Sequence, residues 1–533
     1  NANTTGTQNV SIGSISSVTN TTGCYNTAVG HASLYNNSTG NNNTALGNFA
    51  LNDNTTATDN TAVGYFALKA NTTGDNNVAV GGNALLNNTT ASNNVAVGRN
   101  SLCVNTTGYD NVGIGRRALR ANISGLANVG IGSSALTANT TASGNVAVGT
   151  CAMRVNTTGA NNTAVGTTAL DVNTTGANGS AFGKSALAAN TTGASNVAVG
   201  YNALLSNTTG GENTAVGWSS QGSNTTASSN SSFGNQSLCV NTTGCCNTSI
   251  GFRSMCSNTT GDNNVALGNN ALSKNTSADS NTAVGHSALV LNTTGTRNVA
   301  LGYNTLYANT TATDQVAIGH QTLDSATTGS ENTAVGKSAL ATSTSGATNV
   351  AVGAYALCKT TTSCCNVAVG YQAGICNTTG LRNTYIGYRA GYNATTPEGN
   401  TFVGRMAGCN AGTGNSNTAI GISSGIDAVK NITGTDTHQL VLGNNGTTNA
   451  YIKVSFTVTS DLRDKTEIEK VPHGLDFVNK LNPIKYRFKK TRENPIGTGN
   501  KKYGFSAQEL LKLEGDNNVI IDNHDPENLK LTE

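Results

Sequence analysis

The chain is short of most of what a compact enzyme is built from. Only 11% of its 533 residues are charged and 36% are hydrophobic, where soluble domains average about 25% and about 45–50%. Leu, Ile and Phe are too sparse to fill the cores that a globular protein of this length needs. There are 5 Pro, 3 Met and 1 Trp. The charge that keeps a disordered chain open is missing too. A net charge of +3 gives no electrostatic reason to expect nucleic acid or an anionic membrane surface as partner. No apolar run approaches the ~20 residues of a membrane span, so no insertion is expected. The chain begins at Asn1 without Met or a signal-like segment, which reads as processed or truncated.

What is abundant is glycine, 63 residues of it, and its spacing is the main signal. From Gly13 through Gly30, Gly47 and Gly64 to Gly421 a Gly recurs at every seventeenth position, giving 25 copies without insertion or deletion. One copy runs Asn60-Thr61-Ala62-Val63-Gly64-Tyr65-Phe66-Ala67-Leu68-Lys69-Ala70-Asn71-Thr72-Thr73-Gly74-Asp75-Asn76. With the periodic Gly as position 0, Asn stands at −4 in 23 of 25 copies, the exceptions being Gly179 and Gln315.

Loops tolerate length changes, and this repeat tolerates none, so every residue belongs to a stacked layer. The expected fold is all-β: a parallel β-solenoid, or β-roll, of about 25 turns of 17 residues, followed by a small α+β C-terminal domain. Strands ~4.8 Å apart make a rod of roughly 115 Å. Within a turn, 61–64 reads as one strand, 67–70 as a second, and 71–74 as a corner rich in turn formers. Val63 is expected inside against Leu68, leaving Ala62 and Gly64 on a small outer face that admits another chain, most simply in a homotrimer. The −4 Asn is expected to stack on its copies and bond along the ladder.

The repeat changes near its end. Position +4, Leu in most early copies, becomes Gly374, Gly391, Gly408 and Gly425, which predicts narrowing or altered packing. After Gly421 the register breaks, and 439–443 and 452–459 read as two strands of a collar. Residues 460–533 are chemically different, with 26 charged residues among 74 and four of the five Pro. The expected domains are thus 1–425 (shaft), 426–459 (collar) and 460–533. In the last, 474–481 and 507–513 read as helices and 484–489 as a strand. Its Lys485, Arg487, Lys489, Lys490 and Arg492 with Tyr486 and Phe488 mimic a nucleic-acid patch, but an alternating half-buried strand explains them better.

Two resemblances follow. The repeat Asn-Thr-Ala-Val-Gly-x-x-Ala-Leu resembles the β-roll of trimeric autotransporter adhesin heads and of phage and virus fibres. The tail resembles the self-cleaving intramolecular chaperone domain of phage tailspikes and fibres. Its carrying blocks are Ser460-Asp461-Leu462-Arg463-Asp464-Lys465-Thr466, then Gly474-Leu475-Asp476-Phe477-Val478-Asn479-Lys480-Leu481-Asn482-Pro483, and Tyr503-Gly504-Phe505-Ser506-Ala507-Gln508-Glu509. That resemblance implies trimerisation, templating of the fibre, and release by a Ser–Lys dyad, with Ser460 as nucleophile and Lys465 as its base. Enzyme activity is expected at most as this self-cleavage.

Other surface features suggest partners. The corner Asn at +7 forms Asn-x-Ser/Thr without a break from Asn20 to Asn309. Candidate glycosylation sites are Asn3, Asn20, Asn37, Asn54, Asn71, Asn88, Asn105, Asn139, Asn156, Asn173, Asn190, Asn207, Asn224, Asn241, Asn258, Asn292, Asn309 and Asn377. The alternative is that Asn-Thr-Thr simply satisfies a turn. Position +1 collects aromatics, with Tyr201 and Trp218, and Tyr371 and Tyr388, as vertical neighbours that could stack on sugars or pack between chains. Among twelve Cys, candidate disulfide formers are Cys239, Cys245, Cys246, Cys256, Cys358, Cys364 and Cys365; Cys239 and Cys256 share a phase on adjacent turns. No cofactor is expected, and no metal site, because the His residues do not stack on adjacent turns. The reading is an attachment fibre on a virion or other extracellular surface, meeting a cell-surface glycan or receptor. A glycosylated filament subunit growing head to tail and a bacterial adhesin head are the alternatives.

Overall fold

The computed structural model describes residues 2–427, 430–451, 474–489, 497–514, 521–522 and 530–531. Twenty-five three-residue strands, β1 (Val10–Ile12) to β25 (Thr418–Ile420), follow the glycine period, and each pairs in parallel with the next. Register is strict: Thr61 faces Val78, Ala62 faces Ala79 and Val63 faces Val80. A further strand, β26 (Leu440–Leu442), pairs with β25 after a longer step, Thr418 facing Leu440, so the sheet has 26 strands. The solenoid expected from the Gly period is therefore present, and the first collar strand is its last rung. The second, 452–459, lies outside the described residues.

The expected second strand is not one. Residues 67–70 bond rung to rung (Leu68 N–H to Ala84 O, 2.9 Å), but the backbone is not extended. Phe66 (φ 58°) and Leu68 (φ 51°) are both left-handed, which folds the segment into successive turns. The periodic Gly has its own reason: at Gly64 (φ 130°) a Cβ would stand 2.8 Å from the Gly81 carbonyl carbon.

The expected faces are also inverted. Ala62, Ala67 and Leu68 are fully buried, whereas Val63 is half-buried on the outside. Strand sides alternate, and the closed turn leaves room inside for a methyl opposite Leu, not for Val. Burying one Leu contributes about 1.5–3 kcal/mol, while each left-handed residue costs about 1–2 kcal/mol. A single rung is marginal, so stability comes from stacking.

Two buried amide columns complete the interior. The −4 column bonds as expected: Asn77 N–H donates to Asn60 Oδ1 at 2.9 Å and Asn77 Nδ2 to Ala91 O at 2.9 Å. Gln315 keeps the ladder, accepting from Asn332 N at 3.2 Å and donating to Gly329 O.

Candidate functional site

The long outer face of the shaft is the feature that sequence reasoning placed wrongly. Position −1 is Val, Ile, Leu or Phe in all 25 copies, from Ile12 to Ile420. The structure sets this column on the outside, with Leu46 47% exposed, Phe182 42% and Leu301 45%. The signal was available. A stacked interior needs constant volume, and position −2 supplies it as Ala in most copies, while −1 ranges from Val to Phe. On each side of this ridge lies one end of the strands, with −5 and −6 before it and +1 and +2 after it.

Five of the ten +1 rings stack on each other. His286, Tyr303 and His320 form a pile with centroids 5.5 and 5.2 Å apart, and Tyr371 lies on Tyr388 at 5.6 Å with 14° between planes. Stacked rings offer edges rather than faces to solvent, which leaves little ring face for a sugar. Tyr201 instead lies under Lys184 Nζ, 5.8 Å from its centroid.

The +7 asparagines do not stand on an exposed corner. Asn71 Nδ2 donates to Asn54 Oδ1 (3.1 Å) and to Gly74 O (2.9 Å) inside the rung. The candidates Asn37, Asn54, Asn71, Asn88, Asn105, Asn139, Asn156, Asn173, Asn207, Asn224, Asn241, Asn258, Asn292, Asn309 and Asn377 are fully buried, and Asn20 and Asn190 nearly so. A glycan would need the Nδ2 that holds this ladder, so the expected sugar coat is at odds with the folded rung. Asn3 in the first turn is exposed, its Nδ2 on Gly6 O at 2.9 Å.

All twelve cysteines are free thiols. Cys239 and Cys256 are half-buried neighbours on adjacent turns, with Cys239 Sγ 3.3 Å from Cys256 O. The hydrogen bond between the thiols holds Cys256 down to about 6 and pushes Cys239 up. Cys364 and Cys365 have Sγ atoms 3.3 Å apart. Burial pushes Cys245 up to about 11, with its hydrogen bond to Cys246 adding to this, and burial also raises Cys358.

In the tail, β27 (Ile484–Lys489) and α2 (Ala507–Glu514) stand where the sequence put them, and α1 (Leu475–Val478) takes four of the eight residues expected as helix. A further strand, β28 (Gly497–Gly504), pairs antiparallel with β27. Alternation on β27 holds: Ile484 and Tyr486 are half-buried while Lys485 and Arg487 are exposed. Ser460 and Lys465 lie outside the described residues. Among the described residues no group of three or more His, Cys, Asp or Glu is placed to hold a metal, and no helix is long and apolar enough to cross a membrane.

Comparison with known families places the tail. Residues 460–519 match the family described as chaperone of endosialidase. No curated protein matches the chain. A long tandem-repeat β-solenoid followed by this chaperone segment fits a phage tail-fibre-like protein.

Proposed function

We propose that the chain is the subunit of a homotrimeric attachment fibre, displayed on a virion or other extracellular surface and assembled by its C-terminal segment. The observation that carries this reading is the apolar ridge, which takes one side chain from every rung between Ile12 and Ile420 and is open to solvent on a single chain. Exposed apolar patches of that extent mark surfaces of association. The matched family is associated with trimerisation, which supports three chains. A shaft whose inside is filled by Ala, Leu and Asn is suited to span distance, and its terminal turns are what it offers a cell-surface glycan or receptor.

The test is the mass in solution of the purified full chain, with electron microscopy of the same sample. Discrete rods of roughly 115 Å at three chain masses are expected. A monomer at micromolar concentration overturns the reading, and indefinite polymers support the head-to-tail filament instead.

Two subsidiary proposals accompany it. Ser460, activated by Lys465, cuts the chain before residue 460 and frees the tail after assembly. Ser460→Ala is then expected to leave only full-length chain on a denaturing gel, and unchanged processing removes the dyad. Cys239 and Cys256 staple adjacent rungs outside the cell, where dioxygen or a disulfide oxidant takes up the two electrons and two protons that the thiols lose. A count of twelve free thiols on unfolded, unreduced protein removes the staple.

A further inference from the structure

Of the 27 charged residues up to position 425, 19 flank the ridge and are sorted across it, while the other eight stand at +5 and +6. Positions −6 and −5, before the strand, carry nine Asp or Glu, from Asp59 to Glu398, and two Arg. Positions +1 and +2, after the strand, carry eight Lys or Arg, from Arg99 to Arg405, and no Asp or Glu. All 25 strands are parallel in one sheet, so the first set lines one edge of the ridge and the second set lines the other. The two minority Arg are already neutralised on their own edge: Arg297 pairs with Asp314 at 2.7 Å and Arg382 with Glu398 at 2.5 Å. None of the five ion pairs among the described residues joins one edge to the other. Each chain thus presents an acidic stripe and a basic stripe on either side of an apolar ridge.

We infer that the partner of both stripes is a second copy of this chain, the acidic edge of one rod docking on the basic edge of the next with the rods parallel and in register. The inference rests on the trimer proposed above and adds its geometry. When parallel rods turn their ridges to a common axis, the leading edge of each meets the trailing edge of its neighbour, so acid faces base at every contact and the ring closes. When two rods meet antiparallel, ridge to ridge, each edge meets its own kind, and like charges repel along the whole length. Charge therefore selects direction, while the ridge supplies the adhesion.

Individual rungs carry both signs. Glu331 and Lys337 flank the same strand, as do Asp110 and Arg116, and all four are exposed. In a ring without axial stagger, Glu331 of one chain lies level with Lys337 of the next. Zero stagger follows from closure of the ring, not from the charge spacing.

The experiment couples carboxylates to amines with a zero-length carbodiimide, on full chains co-assembled from an equal mixture of ¹⁴N- and ¹⁵N-labelled protein. A Glu331–Lys337 linked peptide of mixed isotope composition is the expected result. Trimeric mass without any mixed link between the two edges overturns the pairing but leaves the trimer standing; a monomeric mass overturns both. Charge exchange provides a second readout. Glu331→Lys and Lys337→Glu each lower assembly affinity by about two- to fivefold per contact, and the double variant returns to near the parent value. A double variant as weak as the sum of the singles overturns the inference.

Discussion

Two stretches of the shaft solve the same packing problem in opposite ways. In the body of the rod the strand contributes a small side chain and the turn a large one, as with Ala62 and Leu68, both fully buried. In the last turns the sizes are exchanged. The strand contributes Tyr385 and Phe402, both fully buried, and position +4 has shrunk to Gly374, Gly391 and Gly408. A Cβ on Gly374 or Gly391 would overlap the Tyr385 ring, and one on Gly408 the Phe402 ring. At Gly425 the space is taken by Ile432, with its Cδ1 2.8 Å from where a Cβ would stand, which belongs to the lengthened last step. The rung thus fixes a volume, and either wall can supply it. The altered packing that the run of Gly predicts is present, as an exchange of partners.

The same comparison exposes a third kind of rung. The buried apolar residues fall into two clusters, one from Ala28 to Ala215 and one from Leu238 to Val441. Between them Gln221 takes the place of Leu, and Ser220 and Ser232 take the places of Ala. Gln221 Nε2 bonds Ser232 Oγ at 2.9 Å and Thr214 O at 3.0 Å, but its Oε1 is buried without a partner. The size fits and the chemistry does not, so cooperativity is expected to be weakest here.

The largest expected effect comes from breaking the exchange. Tyr385→Ala empties a site walled by two glycines and should destabilise the terminal turns by about 3–5 kcal/mol. Adding Gly374→Leu and Gly391→Leu rebuilds the body pattern and should recover most of that loss. Thermal unfolding followed by circular dichroism reads both, and a triple variant no better than the single one would falsify the volume argument. Next in size, Gln221→Leu with Ser232→Ala should join the two clusters and stabilise by about 1–3 kcal/mol, since a buried orphan acceptor is removed. Slower amide exchange around residues 214–238 is the local readout, and faster exchange there refutes a polar weak point.

Smaller effects sharpen the picture. Tyr385 Oη is buried without a partner, and burial holds the phenol well above its ordinary range. Tyr385→Phe should therefore be neutral or stabilising by up to about 1 kcal/mol; a clear loss of stability would show that the hydroxyl has a role. A change of similar size concerns the +7 column, which is unbroken to Asn309 and then meets Ala326. Asn309 Oδ1 is left buried and unbonded. Ala326→Asn should extend the ladder and add about 1 kcal/mol, read as a raised unfolding midpoint. A lowered midpoint would mean that the rung lacks room for the amide.

Much of this was legible in the residues. The Gly spacing specified the solenoid, its register and every rung but the last, because a stacked layer tolerates no length change. The −4 Asn ladder was legible for the same reason, as an amide repeated at the layer spacing bonds to its own copies. The tail helices and strand β27 followed from ordinary periodicity. The +7 asparagines were misread because Asn-Thr-Thr is the pattern of an exposed turn, and only their mutual hydrogen bonds show that they point inward.

The repeat, the parallel register that stacks like on like, and the chemical break at the tail are thus written in the residues alone. Which side of each strand faces inward is not; that choice belongs to the closed coil. Leu68 and its equivalents adopt a left-handed backbone that no local preference favours. It is held there because closing the turn within one repeat, with every rung bonded to the next, leaves inside only the space that Ala and Leu together fill.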